Sequence, residues 1–258
     1  MNNPASLKHR LRSGRAQYGM WVASGDPVAA EICAASGLDL LAIDTEHAPN
    51  DLRSVLAQLQ AMSGYPVAPV VRPAAADTVL FKQYLDIGVI NFLVPMIDSV
   101  EAAELVVRAV RYPPRGVRGI GASLARSARW GLDTHYYSHA DDDITVIVQV
   151  EHINAIPHLA DIAAVDGIDA VYIGPADLAG SMGLLGGSSH PEVIATVEAA
   201  IRTIAATGKA AGVNTFDEAL AQRYAEAGAT ILTVGADVTL LAKGASQLAG
   251  RFIPRTGN

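Results

Sequence analysis

Carboxylates, an arginine and a histidine recur at the ends of apolar runs in this chain, and their types limit the chemistry available. The run Ile144-Thr145-Val146-Ile147-Val148-Gln149-Val150 ends on Glu151, and Ala170-Val171-Tyr172-Ile173-Gly174-Pro175-Ala176 ends on Asp177. Two carboxylates after neighbouring strands repel each other unless a proton or a cation lies between them. A divalent metal is the simplest occupant; taken singly, each residue is also explained as the N-cap of a following helix. A third run, Ile43-Asp44-Thr45-Glu46-His47, places Asp44 and Glu46 on one strand face and His47 at its lip. Imidazole titrates near neutral pH, so His47 suits a general base, with a loop-capping role as the alternative. Arg72 closes the run 67–72, either as an ion-pair partner or as a fixed cation for a substrate oxyanion. Asp86 falls near the end of a helical run, where the helix dipole disfavours an anion, so a histidine or arginine is expected opposite it.

Lysine placement separates two ways of stabilising a carbanion. The chain has four lysines, Lys8, Lys82, Lys209 and Lys243, none of them at a predicted strand end. A Schiff-base mechanism on a barrel needs an inward-facing lysine and does not find one. A metal held by Glu151 and Asp177 would instead polarise a 2-oxo acid. Oxygen ligands without cysteine point to Mg²⁺ or Mn²⁺.

The elements that must position these groups alternate along the chain. Strands are predicted at 18–24, 39–44, 67–72, 89–95, 144–151, 168–174, 210–214 and 230–235, from short β-branched runs bounded by turn residues. Helices are predicted at 28–36, 52–62, 77–86, 100–111, 152–166, 191–206, 217–227 and 238–248, with a glycine-rich loop at 180–187. Eight strand–helix units in order indicate an α/β fold, a single-domain (β/α)8 TIM barrel over 1–258 with a short basic arm at 1–15. An open doubly wound sheet ranks second, because no Gly-x-Gly-x-x-Gly follows the first strand. Residues 112–143 break the rhythm with four glycines, two prolines and Arg115, Arg118, Arg126 and Arg129. Those arginines read as a solvated or interface surface, with one of them reaching the far carboxylate of an acceptor aldehyde as the alternative.

Half the residues are hydrophobic but only 5% are aromatic, which suits a core of Ala, Val, Leu and Ile under parallel strands. A net charge of −7 argues against a nucleic-acid or anionic-membrane surface. Cys33 is the only cysteine, so no intramolecular disulfide and no cysteine metal cluster can form. No apolar run approaches the length of a signal or membrane-spanning segment, and a cytoplasmic protein is expected.

The chain resembles the HpcH/HpaI family of class II pyruvate aldolases. The resembling segments are Gly19-Met20-Trp21, the stretch 43–49, Val70-Val71-Arg72-Pro73, Val94-Pro95-Met96, Arg111-Tyr112-Pro113-Pro114, Val148-Gln149-Val150-Glu151, Gly174-Pro175-Ala176-Asp177-Leu178 and Val234-Gly235. The resemblance implies a metal-dependent, reversible aldol cleavage of a 4-hydroxy-2-oxo acid to pyruvate, or a near analogue, and an aldehyde. By the same resemblance Glu151 and Asp177 bind the metal, Arg72 stabilises the enolate, and His47 is the acid/base with Asp86 raising its basicity. Gln149 and the backbone amides of Ala176 and Asp177 would hold the 2-oxo acid. It further implies a homohexamer in which the last helix packs on a neighbour. Another lyase or mutase of the pyruvate-binding barrels, and a silent barrel binding a 2-oxo acid, are the alternatives.

Overall fold

The computed structural model describes residues 6–253. Eight parallel strands close into a barrel in chain order: β1 (Gln17–Val22), β2 (Leu40–Asp44), β3 (Ala68–Arg72), β4 (Asn91–Val94), β5 (Thr145–Val150), β6 (Ala170–Ile173), β7 (Ala210–Asn214) and β8 (Ala229–Ala236). The helices are α1 (Leu7–Arg12), α2 (Pro27–Ala34), α3 (Leu52–Ala61), α4 (Thr78–Asp86), α5 (Val100–Ala109), α6 (Tyr136–Asp143), α7 (Leu159–Ala164), α8 (Pro175–Ser181), α9 (Pro191–Ala206), α10 (Glu218–Glu226) and α11 (Asp237–Phe252). The (β/α)8 barrel expected from the rhythm of the sequence is the fold. Among the described residues no helix is long and apolar enough to cross a membrane.

Side-chain alternation sorts each strand into two cores. Outward positions such as Leu41, Ile43, Val71, Val148 and Val171 pack against the helices in one large cluster. Inward positions, including Leu40, Ala42, Val70, Leu93, Ile147 and Tyr172, fill the barrel as a second cluster. Following the same inward rows toward the strand ends changes their chemistry. They finish on Trp21, Asp44, Arg72, Gln149 and Asn214. Period two therefore converts an apolar interior into a polar mouth within two residues.

Short polar residues make the return turns. Asp26, Asp51, Asp77, Ser99 and Asp217 each cap the helix that follows by accepting backbone N–H groups of its first turn. At the other end α1 plugs the barrel floor. Its Leu7 and Leu11 join the inner cluster, Lys8 pairs with Asp169 at 3.5 Å, and Arg10 donates to the Asp39 carbonyl at 3.1 Å.

Several expectations are corrected. The stretch 152–166 is a 3-10 turn over Ile153–His158, containing Pro157, followed by the short α7. The missing N–H and the ring of Pro157 keep the first part from a regular α-helix. The glycine-rich segment begins inside α8, which takes in Gly180. The connection 112–143 is ordered by its own small core, Tyr112, Ala122, Ala128, Tyr136 and Ala140, with α6 at its end. Arg118 is no solvated charge. It is 2% exposed, stacks at 4.3 Å on the Tyr112 ring and donates to the Tyr136 hydroxyl at 2.7 Å. Arg115 pairs with Asp141 at 2.8 Å, and Arg126 donates to the Ile87 carbonyl just beyond α4. Arg115 and Arg118 thus tie the connection to itself, and Arg126 fastens it to the end of α4.

Candidate active site

Arg72 is the most constrained charge at the mouth. β2 and β3 run in register with Asp44 opposite Arg72. The guanidinium forks onto that carboxylate, Nε to Oδ1 at 2.9 Å and Nη2 to Oδ2 at 2.7 Å. Nη1 lies 3.1 Å from Glu46 Oε2, and the group stacks 4.2 Å over the Trp21 ring. Burial alone would raise the Asp44 carboxyl. The hydrogen bonds and charge of Arg72 outweigh it, and Asp44 stays below its ordinary value. Burial also dominates at Glu46 and, despite Arg72, leaves that carboxyl above its ordinary value. The turn after β2 is locked as well: Thr45 donates its N–H and hydroxyl to the Arg72 carbonyl, and Asn50 donates to the Asp44 carbonyl.

Glu151 lies one residue past β5 and caps no helix. Its Oε1 accepts the Met96 N–H at 2.9 Å and its Oε2 the side-chain amide of Gln149. Met96 holds φ +57°, a left-handed conformation that costs a non-glycine residue free energy and turns its N–H toward the carboxylate. Burial, with the nearby charges of Asp177 and Glu46 adding to it, pushes the Glu151 carboxyl up to about 7. Gly174 leaves the space for this arrangement, since a methyl there would overlap Glu151 Oε2. Asp177 stands in the first turn of α8, four residues past β6, and the helix is capped by Gly174 without a side-chain bond. The capping alternative therefore fails for both carboxylates.

A cavity of about 310 Å³ collects these parts: Trp21, Asp44, His47, Arg72, Gln149, Tyr172, Ala176, Asp177 and Asn214 among them. His47 is at the open lip, its ring 3.8 Å from Glu46, and the N-cap of α3 is Asp51, so His47 caps nothing. The backbone N–H groups of Ala176 and Asp177 open α8 with no protein acceptor among the described residues. No lysine lines the cavity; Lys8 and Lys209 are tied to Asp169 and the Ile168 carbonyl at the floor.

The residues fit a divalent cation. Glu151 is a buried carboxylate under like-charge pressure from Asp177, and Gln149 Oε1 is buried without a partner. Among the described residues no three His, Cys, Asp or Glu side chains are placed to hold a metal ion together, so the protein would supply only two carboxylates.

One expected pairing is not made within the chain. Asp86 ends α4 on the floor side of the barrel, whereas His47 follows β2 at the mouth. Burial raises the Asp86 carboxyl, opposed by the charges of Arg118 and Lys82, so an arginine does stand opposite it. Other participants carried no sequence signal of their role. Met96 acts through backbone geometry, and Trp21, Tyr172 and Asn214 are inward positions on strands far apart in sequence.

A model of the HpcH/HpaI aldolase/citrate lyase family matches residues 17–244. A hydroxypyruvate/pyruvate aldolase of Pseudomonas aeruginosa is 54% identical, covering 95% of this chain and 92% of that protein. A 4-hydroxy-2-oxo-heptane-1,7-dioate aldolase of Salmonella heidelberg (strain SL476) is 49% identical, covering 96% and 94%. The crystal structure of a family protein from Burkholderia cenocepacia J2315 superposes with a TM-score of 0.91 at 38% identity, covering 95% of this chain and 98% of that one. Sequence, fold and the residues gathered at the barrel mouth agree, and the chain belongs to the HpcH/HpaI aldolase/citrate lyase family.

Proposed function

We propose that this protein is a class II aldolase that reversibly cleaves a 4-hydroxy-2-oxo acid to pyruvate, or hydroxypyruvate, and an aldehyde. The observation that carries this reading is the convergence of Arg72, Gln149, Asp177 and the free N-terminus of α8 on one lysine-free cavity, with Glu151 held against Gln149 beside it, in a chain of this family. Glu151 and Asp177 would hold Mg²⁺ or Mn²⁺, which supplies Lewis-acid polarisation of the keto group when bound.

The chain's own groups divide the rest of the work. The Ala176 and Asp177 N–H groups and the Gln149 side chain receive the carboxylate and keto oxygens of the 2-oxo acid. In cleavage His47 takes the proton of the 4-hydroxyl, the C3–C4 bond breaks, and the electron pair moves toward the keto oxygen. Arg72, already fixed by Asp44, Glu46 and Trp21, meets that negative charge without reorganising. The aldehyde leaves, and C3 takes up a proton to give the oxo acid. His47 is exposed enough to exchange its proton with solvent between turnovers. Asp86 can pair with His47 only across two copies of the chain. The apolar side chains exposed on α11, Val238, Leu240, Leu241, Leu248 and Phe252, support self-association as in the expected hexamer.

The test is exchange of the pyruvate C3 protons in D₂O, followed by NMR, together with cleavage of a 4-hydroxy-2-oxo acid. Both should stop on chelation and return with Mg²⁺ or Mn²⁺. Inactivation by borohydride in the presence of pyruvate would reveal a Schiff base and refute the reading.

A further inference from the structure

Asn214 stands at the inward end of β7, on the cavity wall with Ala23, Phe216, Ala236 and Thr239. Its side-chain amide is oriented by donors that leave no choice. Trp21 Nε1 donates to Oδ1 at 3.0 Å, and an indole nitrogen can only donate, so the facing atom is the oxygen. Thr233 Oγ1 donates to the same oxygen at 3.0 Å. The single hydroxyl hydrogen of Thr233 is spent there, so in its contact with Tyr172 the tyrosine is the donor. The result is a directed chain from Tyr172 through Thr233 to Asn214, joined from the other side by Trp21.

The chain is also rigid. Tyr172 is 1% exposed, its ring meets Trp21 edge-on at 6.5 Å, and it lies so close to Gly212 that a methyl there would overlap it. Trp21 is in turn stacked against Arg72. With Oδ1 saturated, the Nδ2 amide is left with no acceptor among the described residues, on a half-buried residue that lines the cavity. Of its neighbours on that wall, Ala23, Phe216 and Ala236 offer no side-chain acceptor, and the Thr239 hydroxyl donates to the Ala236 carbonyl. A fixed donor without a partner, in a largely apolar wall, is a recognition element for an oxygen atom on a ligand.

We propose that Asn214 is a specificity-determining residue for the acceptor aldehyde: Nδ2 donates to an oxygen on the carbon next to the aldehyde group, selecting 2-oxygenated aldehydes over alkyl ones. The inference rests on the aldolase reading above, in which Gln149, Ala176, Asp177 and Arg72 take the 2-oxo acid and leave the Asn214 side of the cavity to the aldehyde. Specificity of this type is asymmetric, because an alkyl substrate leaves the donor unpaired.

Methoxyacetaldehyde and butanal are matched probes, identical in chain length and differing by an ether oxygen in place of a methylene. The quantity to measure is the ratio of their kcat/KM values as acceptors of pyruvate, in the unchanged protein, Asn214→Asp and Asn214→Leu. The intrinsic reactivity difference between the two aldehydes cancels in that comparison. Asn214→Asp keeps an oxygen for Trp21 and Thr233 but replaces the donor by a second acceptor and adds a charge that both neutral aldehydes meet alike; Asn214→Leu keeps the volume and removes both functions without a charge. The ratio should fall by about three- to tenfold in each variant, the scale of one neutral hydrogen bond. An unchanged ratio in either active variant overturns the inference, as does pyruvate C3 exchange in the unchanged protein without addition to either aldehyde. Absence of both exchange and addition would instead sink the aldolase reading itself.

Discussion

Gly174→Ala isolates what the placement of Glu151 contributes. Gly174 has φ −95° and ψ 94°, which alanine adopts freely, so the backbone gains no strain. The added methyl would come to 2.8 Å from Gln149 Nε2 and 3.0 Å from Glu151 Cβ, and would overlap Glu151 Oε2. Ordinary contact begins at 3.4 Å. The Gln149 amide must therefore withdraw by about 0.6 Å, and the carboxylate by more, which is the scale at which misplacement costs about 10²-fold in rate. Both are ends of flexible side chains, so the fold should tolerate the shift, with a change in stability below about 1 kcal/mol. Three measurements separate the effects: thermal unfolding of the metal-free protein, Mn²⁺ affinity by calorimetry, and pyruvate C3 exchange. The expected result is near-normal unfolding, weaker Mn²⁺ binding and exchange slowed by about 10²-fold. Full exchange activity with unchanged Mn²⁺ affinity would show that Glu151 is not a ligand whose position matters.

Arg72→Lys keeps the charge but loses the fork onto Asp44; kcat and kcat/KM for cleavage should fall together with Mn²⁺ affinity little changed, and full turnover would remove Arg72 from the chemistry. Glu151 titrates at about 7 in the folded chain against an ordinary 4.5, so between those values the native protein holds a proton that the unfolded chain has released. Raising the pH through that window should destabilise the metal-free protein by up to roughly 3 kcal/mol relative to Glu151→Gln, and Mg²⁺ should flatten the dependence; denaturant titrations at pH 5 and 8 that show no difference between the two proteins would refute it. Gly212→Ala presses a methyl on the buried Tyr172 ring, which cannot withdraw, so unlike Gly174→Ala it should cost about 1–3 kcal/mol of stability in denaturant unfolding.

The sequence by itself determined the barrel and the identities of its charged strand ends. Both follow from local rules: β-branched runs of strand length, Asp and Ser caps at the helix starts, and polar residues closing apolar runs such as those at Asp44, Arg72 and Glu151. The arginines of 112–143 show where such rules end. A window of sequence registers four charges, but whether Arg118 meets solvent or the faces of Tyr112 and Tyr136 depends on how the connection folds back on α4 and α5. Asp86 shows the same limit, since sequence gives the helix end and only the fold puts Arg118, and not His47, across from it. Tertiary structure alone decided that Trp21, Tyr172, Asn214 and Thr233, separated by up to 212 positions, share one hydrogen-bonded layer, and that the backbone of Met96 turns toward Glu151. The physical reason is barrel closure. Strands distant in the chain become neighbours only when β8 pairs with β1, and inward residues meet at a height set by the register, which no local pattern encodes.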